Sequence, residues 1–272
     1  MSSTAVSVPA TDDRDRRIPF GAARDIYAIT QRNLIAYRRV PQLLVFSTIQ
    51  PVIFVLMFRY VFGGAITLRG LPYPYVDFLM PGIFTQTVVF GAIATAIGLS
   101  TDVKSGLMER FHSLPMARSA VLAGRTMADL IRNVFVVVLM MVVGFLVGWR
   151  IHTNVFGLIS GALLVMLFAY AMSWVFATVG LAVGDPETAQ AAAFPVLAPL
   201  VFASSAFVQV ESMPAWLQVF ARNQPVSVTV SAVRALVNGG PTAIYVEHSL
   251  AWCIGILVVF APIAVRLYRR AV

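Results

Sequence analysis

The sequence predicts an all-α integral membrane protein with six transmembrane helices. An amphipathic helix precedes them, a short cytoplasmic helix joins the second to the third, and an outer helical hairpin precedes the last. Three observations predict this. The 272 residues are 59% hydrophobic and 12% charged, with a mean hydropathy of +0.82, whereas soluble domains carry about 25% charge. Continuous apolar runs recur at the ~20-residue length that crosses a ~30 Å hydrocarbon core, without the alternation of barrel strands. Lys and Arg cluster in alternate connections, the pattern that fixes topology.

Residues 1–20 lack the apolar core of a signal peptide and read as a disordered cytoplasmic tail, with insertion through the first span. In residues 21–40, Ala23, Ile26, Tyr27, Thr30, Leu34 and Tyr37 form one helical stripe, with Arg24, Arg32, Arg38 and Arg39 mostly off it. That is the pattern of a helix lying in the inner interface. Residues 41–272 make the transmembrane domain, with spans at about 42–62, 78–99, 130–148, 155–183, 189–210 and 249–268. The fourth exceeds the needed length, so it tilts or protrudes.

With the N-terminus inside, 15 Lys and Arg residues face the cytoplasm and only Arg69, Arg150, Arg222 and Arg234 face out. Arg59 lies near the outer end of the first span and can snorkel. Both termini are then cytoplasmic. The pI of about 10.2 comes from this inner-face anchor, so no nucleic-acid partner is expected. Trp149, Trp216, Trp252, Tyr60, Tyr73 and Tyr75 fall near the outer interface, where amphipathic rings belong.

Within 102–115, Val103, Leu107, Phe111 and Leu114 share one apolar face. Thr101 or Asp102 suits the helix start and Pro115 stops it. Lys104, Glu109, Arg110 and His112 face away from the stripe. There is no pair of acids and no nucleophile with a base. Apolar knobs with charged flanks suit docking in a groove on another protein. In 212–240, Ser212 and Pro214 start a helix with Trp216, Leu217 and Phe220 on its apolar face. Asn223 and Pro225 break it. Val226, Val230, Val233 and Val237 align in a second helix, which Asn238, Gly239 and Gly240 end. The pair lies on the outer face or re-enters the membrane.

The phosphate-cradling G-x-x-x-x-G-K-[ST] pattern and the H-E-x-x-H zinc pattern are both absent. His112, His152 and His248 sit in separate predicted loops, and Cys253 stands alone in an apolar run, so neither a metal site nor a disulfide is expected. Asp185, Pro186 and Glu187 read as a solvated turn. Gly144/Gly148, Gly157/Gly161 and Gly180/Gly184 permit close helix contact. None of the six spans contains Asp, Glu or Lys, which argues against an ion-coupled secondary transporter or channel. No polar cluster at an interface suggests a lipid-modifying enzyme. Gln50, Gln86, Asn133, Ser204 and Ser205 are the mild polar groups available to line a path for an amphipathic substrate.

Two stretches carry a resemblance. "GLMERFHSLPMARSAVLAGRTMADLIRN" at 106–133 and "MPAWLQVFARNQPVSVTVSAVRALVNGG" at 213–240 resemble the membrane-spanning permease subunits of type-two ABC exporters, in particular the daunorubicin-resistance-like permeases of actinobacteria. The resemblance covers about residues 20–270. It implies that the segment matching Asp102 to Pro115 is a coupling helix docking on a separate ATP-binding subunit. The residues concerned are Asp102, Lys104, Leu107, Glu109, Arg110, Phe111, Leu114 and Pro115. It implies that 213–240 is an outer re-entrant hairpin. It further implies a bacterial plasma-membrane location, a dimer of permeases that are identical chains or relatives, and a dimer of ATPases. ATP and magnesium would be held by the partner, with no cofactor on this chain, and the work would expel drugs, lipids or polyketide-like molecules.

Overall fold

The computed structural model describes residues 19–39, 41–63, 73–107 and 118–270. Among these residues there are ten α-helices and no strand. They are α1 (Pro19–Arg39), α2 (Pro41–Leu56, continued by one π turn, Met57–Val61), α3 (Tyr75–Gly91), α4 (Ile93–Lys104), α5 (Arg118–Val147), α6 (Val155–Val183), α7 (Pro186–Phe202), α8 (Ala215–Asn223), α9 (Pro225–Asn238) and α10 (Thr242–Arg270). A 3-10 turn, Val210–Ser212, precedes α8.

Local chemistry sets most helix ends. The Asn154 side chain accepts from the Gly157 N–H at the start of α6, and Asp185 does the same for Thr188 at the start of α7. Gly184, at φ 71°, ends α6, and Gly239, at φ 90°, ends α9. Pro186 and Pro225 open their helices, where a missing N–H costs nothing.

Four rods are long and apolar enough to cross a membrane: Tyr75–Lys104, Ala120–Val147, Val155–Val183 and Thr242–Arg270. At 1.5 Å per residue each is about 42–45 Å long and overruns a ~30 Å core. The first and fifth predicted spans are shorter. Helix α2 has 16 residues before its π turn, and α7 has 17. The span expected to reach residue 210 stops at Phe202, where side chains of the α8–α9 hairpin take carbonyls at and just beyond its end. Gln224 Nε2 donates to Leu200 O at 3.0 Å, and Arg234 Nη2 to Ser205 O and Ala206 O at 2.6 and 3.1 Å.

The α3–α4 rod is the inner column, with every residue from Tyr75 to Val89 buried. Helix α6 packs beside it and α10 lies outermost. Gly180 brings α6 onto α4, since a Cβ there would run into the Ala96 backbone. Of the other paired glycines, Gly148 and Gly184 take positive φ at helix ends. Helices α8 and α9 meet at Asn223–Pro225 as the sequence predicts, and Val226, Val230, Val233 and Val237 are buried. Trp216 and Phe220 of α8 are exposed.

Three faces differ from expectation. Helix α1 buries Ile29, Thr30 and Asn33 and leaves Tyr27 of the expected stripe exposed, because it packs on α5 at Gly124. Trp149 and Tyr75 are core residues. Trp149 sits among Phe84, Phe145 and Gly144, and the Tyr75 hydroxyl donates to Phe207 O at 3.0 Å. His248 lies in α10, hydrogen-bonded to Ile244 O at 2.7 Å, and not in a loop.

Gly180→Ala has no flexible neighbour to yield, and overpacking costs about 1–3 kcal/mol. It should lower the thermal midpoint of the detergent-solubilised protein by several degrees. Gly255→Ala, where an added Cβ meets nothing, should leave the midpoint unchanged in the same fluorescence-detected unfolding assay.

Candidate functional site

The end of the bundle bearing α1 is tied by ion pairs. Asp102, in the last turn of α4, accepts from Arg125 Nη1 of α5 at 3.2 Å and lies 3.6 Å from Arg32 Nη2 of α1. Its side chain is only 14% exposed, so the carboxylate joins three helices. Gly98 makes room for the join, because a Cβ there would occupy the Arg125 guanidinium. Lys104 Nζ reaches Asp185 Oδ1 at 2.7 Å and ties α4 to the α6–α7 turn. The Lys104 hydrogen bond, then those from Thr188, hold the Asp185 carboxyl down at about 2. This contribution is complete above the ordinary value of 3.8 and is lost only as pH falls through about 2.

The helix expected over 102–115 does not start at 101 or 102. Helix α4 runs through both residues to Lys104, because Thr101 Oγ1 bonds back to Ile97 O and Asp102 is held by the arginines. A turn follows at Ser105–Gly106, with Gly106 at φ 66°. Asp102 and Lys104 therefore face neighbouring helices and serve the anchor. Leu107 is half-buried just beyond the turn. Glu109, Arg110, Phe111, Leu114 and Pro115 lie outside the described residues, as does His112.

The polar groups nominated for a path separate into two places. Gln50 of α2, Gln86 of α3 and Asn133 of α5 line one cleft of about 210 Å³, with Phe54, Phe90 and Arg132. Arg132 Nη2 donates to Gly91 O at 2.7 Å and to Asn133 Oδ1 at 3.3 Å. Gln86 and Asn133 are 4% and 3% exposed. Ser204 and Ser205 do not reach this cleft. Ser204 Oγ bonds Val201 O, and the Ser205 N–H donates to Ser227 Oγ of α9 at 2.9 Å. They close the end of α7.

Comparison with known proteins places this architecture. The family model described as ABC-2 type transporter matches residues 24–237, most of the chain. The chain belongs to the ABC-2 type transporter family. It is 35% identical over 241 residues to a daunorubicin resistance ABC transporter permease protein of Streptomyces coeruleorubidus, covering 88% of this chain and 84% of that one. It is 27% identical over 246 residues to a probable doxorubicin resistance ABC transporter permease protein of Mycobacterium tuberculosis, covering 89% and 87%. It is 24% identical over 217 residues to a putative transport permease of Cyanophora paradoxa, covering 78% and 74%. The type-two permease resemblance and the membrane-protein reading therefore stand.

This ABC-2 chain also carries buried charge that the span limits concealed. Asp77 and Asp129 fall one residue outside the predicted second and third spans, yet both lie inside long helices and are 1% and 0% exposed. Asp77 accepts from the Arg150 N–H at 2.9 Å and pairs with His152 Nε2 at 2.7 Å. Thr95 Oγ1 donates to Asp129 Oδ2 at 2.6 Å. Arg234 of α9 is buried, 9% exposed, and donates to Phe78 O, Ser205 O and Ala206 O, its guanidinium 3.5 Å from the Phe78 ring centre. The signal for each was a lone charge at helical spacing within an apolar stretch. Among the described residues no group of His, Cys, Asp and Glu could hold a metal ion.

Thr95→Val withdraws a donor from a buried carboxylate, which costs about 1–3 kcal/mol. Thr126 bonds only to carbonyls of its own helix, so Thr126→Val should cost clearly less. The thermal midpoints of the two isosteric variants should therefore fall in that order.

Proposed function

We propose that the chain is the permease subunit of an ATP-driven exporter moving amphipathic molecules out of a bacterial cell. A separate ATP-binding subunit, a dimer, docks on the segment between α4 and α5 and holds the ATP and magnesium. Two permeases pair across the membrane, as identical chains or as relatives. The observation that carries this reading is the ABC-2 match, with the daunorubicin and doxorubicin resistance permeases among the relatives. The anchor at Asp102 supports it mechanically. The docking segment connects α4 to α5, which Asp102 and Arg125 lock together, so a push on it reaches both helices. The Lys and Arg distribution orients that end and both termini to the cytoplasm. Six crossings follow if α2 and α7 span beside the four long rods, with α8 and α9 re-entering from outside.

Phe111→Ala should remove an apolar anchor from the docking face. Truncating such an anchor commonly costs about 2 kcal/mol, roughly thirtyfold in affinity. At matched membrane levels the variant should lose capture of the ATP-binding subunit, or lose export while capture persists. Glu109→Ala, on a charged flank, should do less. Export and capture like the parent's would overturn the docking assignment. Reporters fused at residues 10 and 272 should read cytoplasmic and one at 70 external, and an external C-terminus would overturn the six-span count.

A further inference from the structure

The cleft between α2, α3 and α5 has a chemistry of its own. It holds a guanidinium, two carboxamides and two phenyl rings within about 210 Å³. Two of its amide atoms are buried and unsatisfied: Gln86 Oε1 and Asn133 Nδ2 have no hydrogen-bond partner among the described residues. Such atoms are uncommon in a native core, because each bears its full desolvation cost. The Asn133 amide is also held in place. The Asn133 oxygen already accepts from Arg132 Nη2, which leaves the amide nitrogen as the end that lacks a partner. Gly91 lets this pair press against the α3–α4 junction, since a Cβ at 91 would lie 2.8 Å from Asn133 Oδ1 and 3.2 Å from Arg132 Nη2.

We infer that this cleft binds the head of an amphipathic molecule, and that the head is rich in hydroxyl and carbonyl oxygens. Asn133 Nδ2 donates to an oxygen of the head, and Gln86 Oε1 accepts from one of its hydroxyls. Phe54 and Phe90 take the apolar body next to it. A trimethylammonium head offers neither a hydroxyl to Gln86 Oε1 nor an oxygen to Asn133 Nδ2. The inference rests on the exporter reading for what the site serves, but its chemistry stands on the unmet amides.

The test uses the full chain in lipid nanodiscs and a dodecyl glucoside bearing a photoreactive diazirine in its tail. Labelling should be saturable, fall on the stretches around Phe54, Phe90 or Val136, and be displaced by plain dodecyl glucoside but not by dodecyltrimethylammonium. Gln86→Leu and Asn133→Leu should each weaken it roughly fivefold or more, and Gly91→Ala should weaken it by displacing the Arg132–Asn133 pair. Gln86→Glu keeps the side-chain shape and should let the ammonium amphiphile compete, a gain that an unfolded variant cannot produce. Equal displacement by both amphiphiles in the parent protein, or labelling indifferent to the leucine variants, would overturn the assignment. Labelling needs neither ATP nor a partner. Its failure would leave the docking reading standing, and failed capture of an ATP-binding subunit would leave the cleft standing.

Discussion

The structure depends on how α5 satisfies a break in the most buried rod. At Ala92 the α3–α4 column loses its regular ladder, and the Thr95 N–H bonds Ala92 O at 3.0 Å in place of the carbonyl four residues back. That leaves the Gly91 carbonyl without its usual helical partner, and an unmet backbone group within a bundle is costly. Arg132 supplies the donor, and Thr95 spends its hydroxyl on Asp129 three residues earlier in α5. These two bonds set the register of α5 against the column, and hydrophobic packing, which is non-directional, does not.

That register distributes the rest of the machinery. Arg125, Asp129, Arg132, Val136 and Met140 recur along α5 at helical spacing, so they share one stripe. Read from the α1 end, the stripe makes the Asp102 anchor, then the stitch at Ala92, then the wall of the polar cleft, then the apolar core around Met140. A shift of α5 by one turn disturbs all four together. Anchor and cleft are thus joined along one face of one helix.

The opposite end is closed by the same logic with another guanidinium. Arg234 gathers carbonyls from α3 and from the chain after α7, and the Phe78 ring lies against its face. No acid is needed, since three carbonyl oxygens and a ring share the charge. The cost of burying it is offset only while α9 stays seated, so the hairpin and the end of α7 hold each other in place.

The sequence by itself determined what local chemistry controls. The apolar runs specified helices, and the breaks at Asn223–Pro225 and Asn238–Gly240 fell where proline and glycine force them. A family resemblance was legible at 106–133 and 213–240. Three polar groups of the cleft, Gln50, Gln86 and Asn133, stood out as amides in apolar helices. Only the tertiary structure decided which groups meet. Ser204 and Ser205 looked equivalent to those amides but serve the end of α7, and Asp102 and Lys104 looked like docking charges but bind Arg32, Arg125 and Asp185. Asp77 and Asp129 fall just outside the predicted spans because a hydropathy window ends where charge begins, although the helices continue past them. Periodicity reports the faces of a helix and hydropathy its length. Neither reports the partner across the interface, and in a bundle apolar on nearly every side the directional bonds of a few buried polar groups choose it.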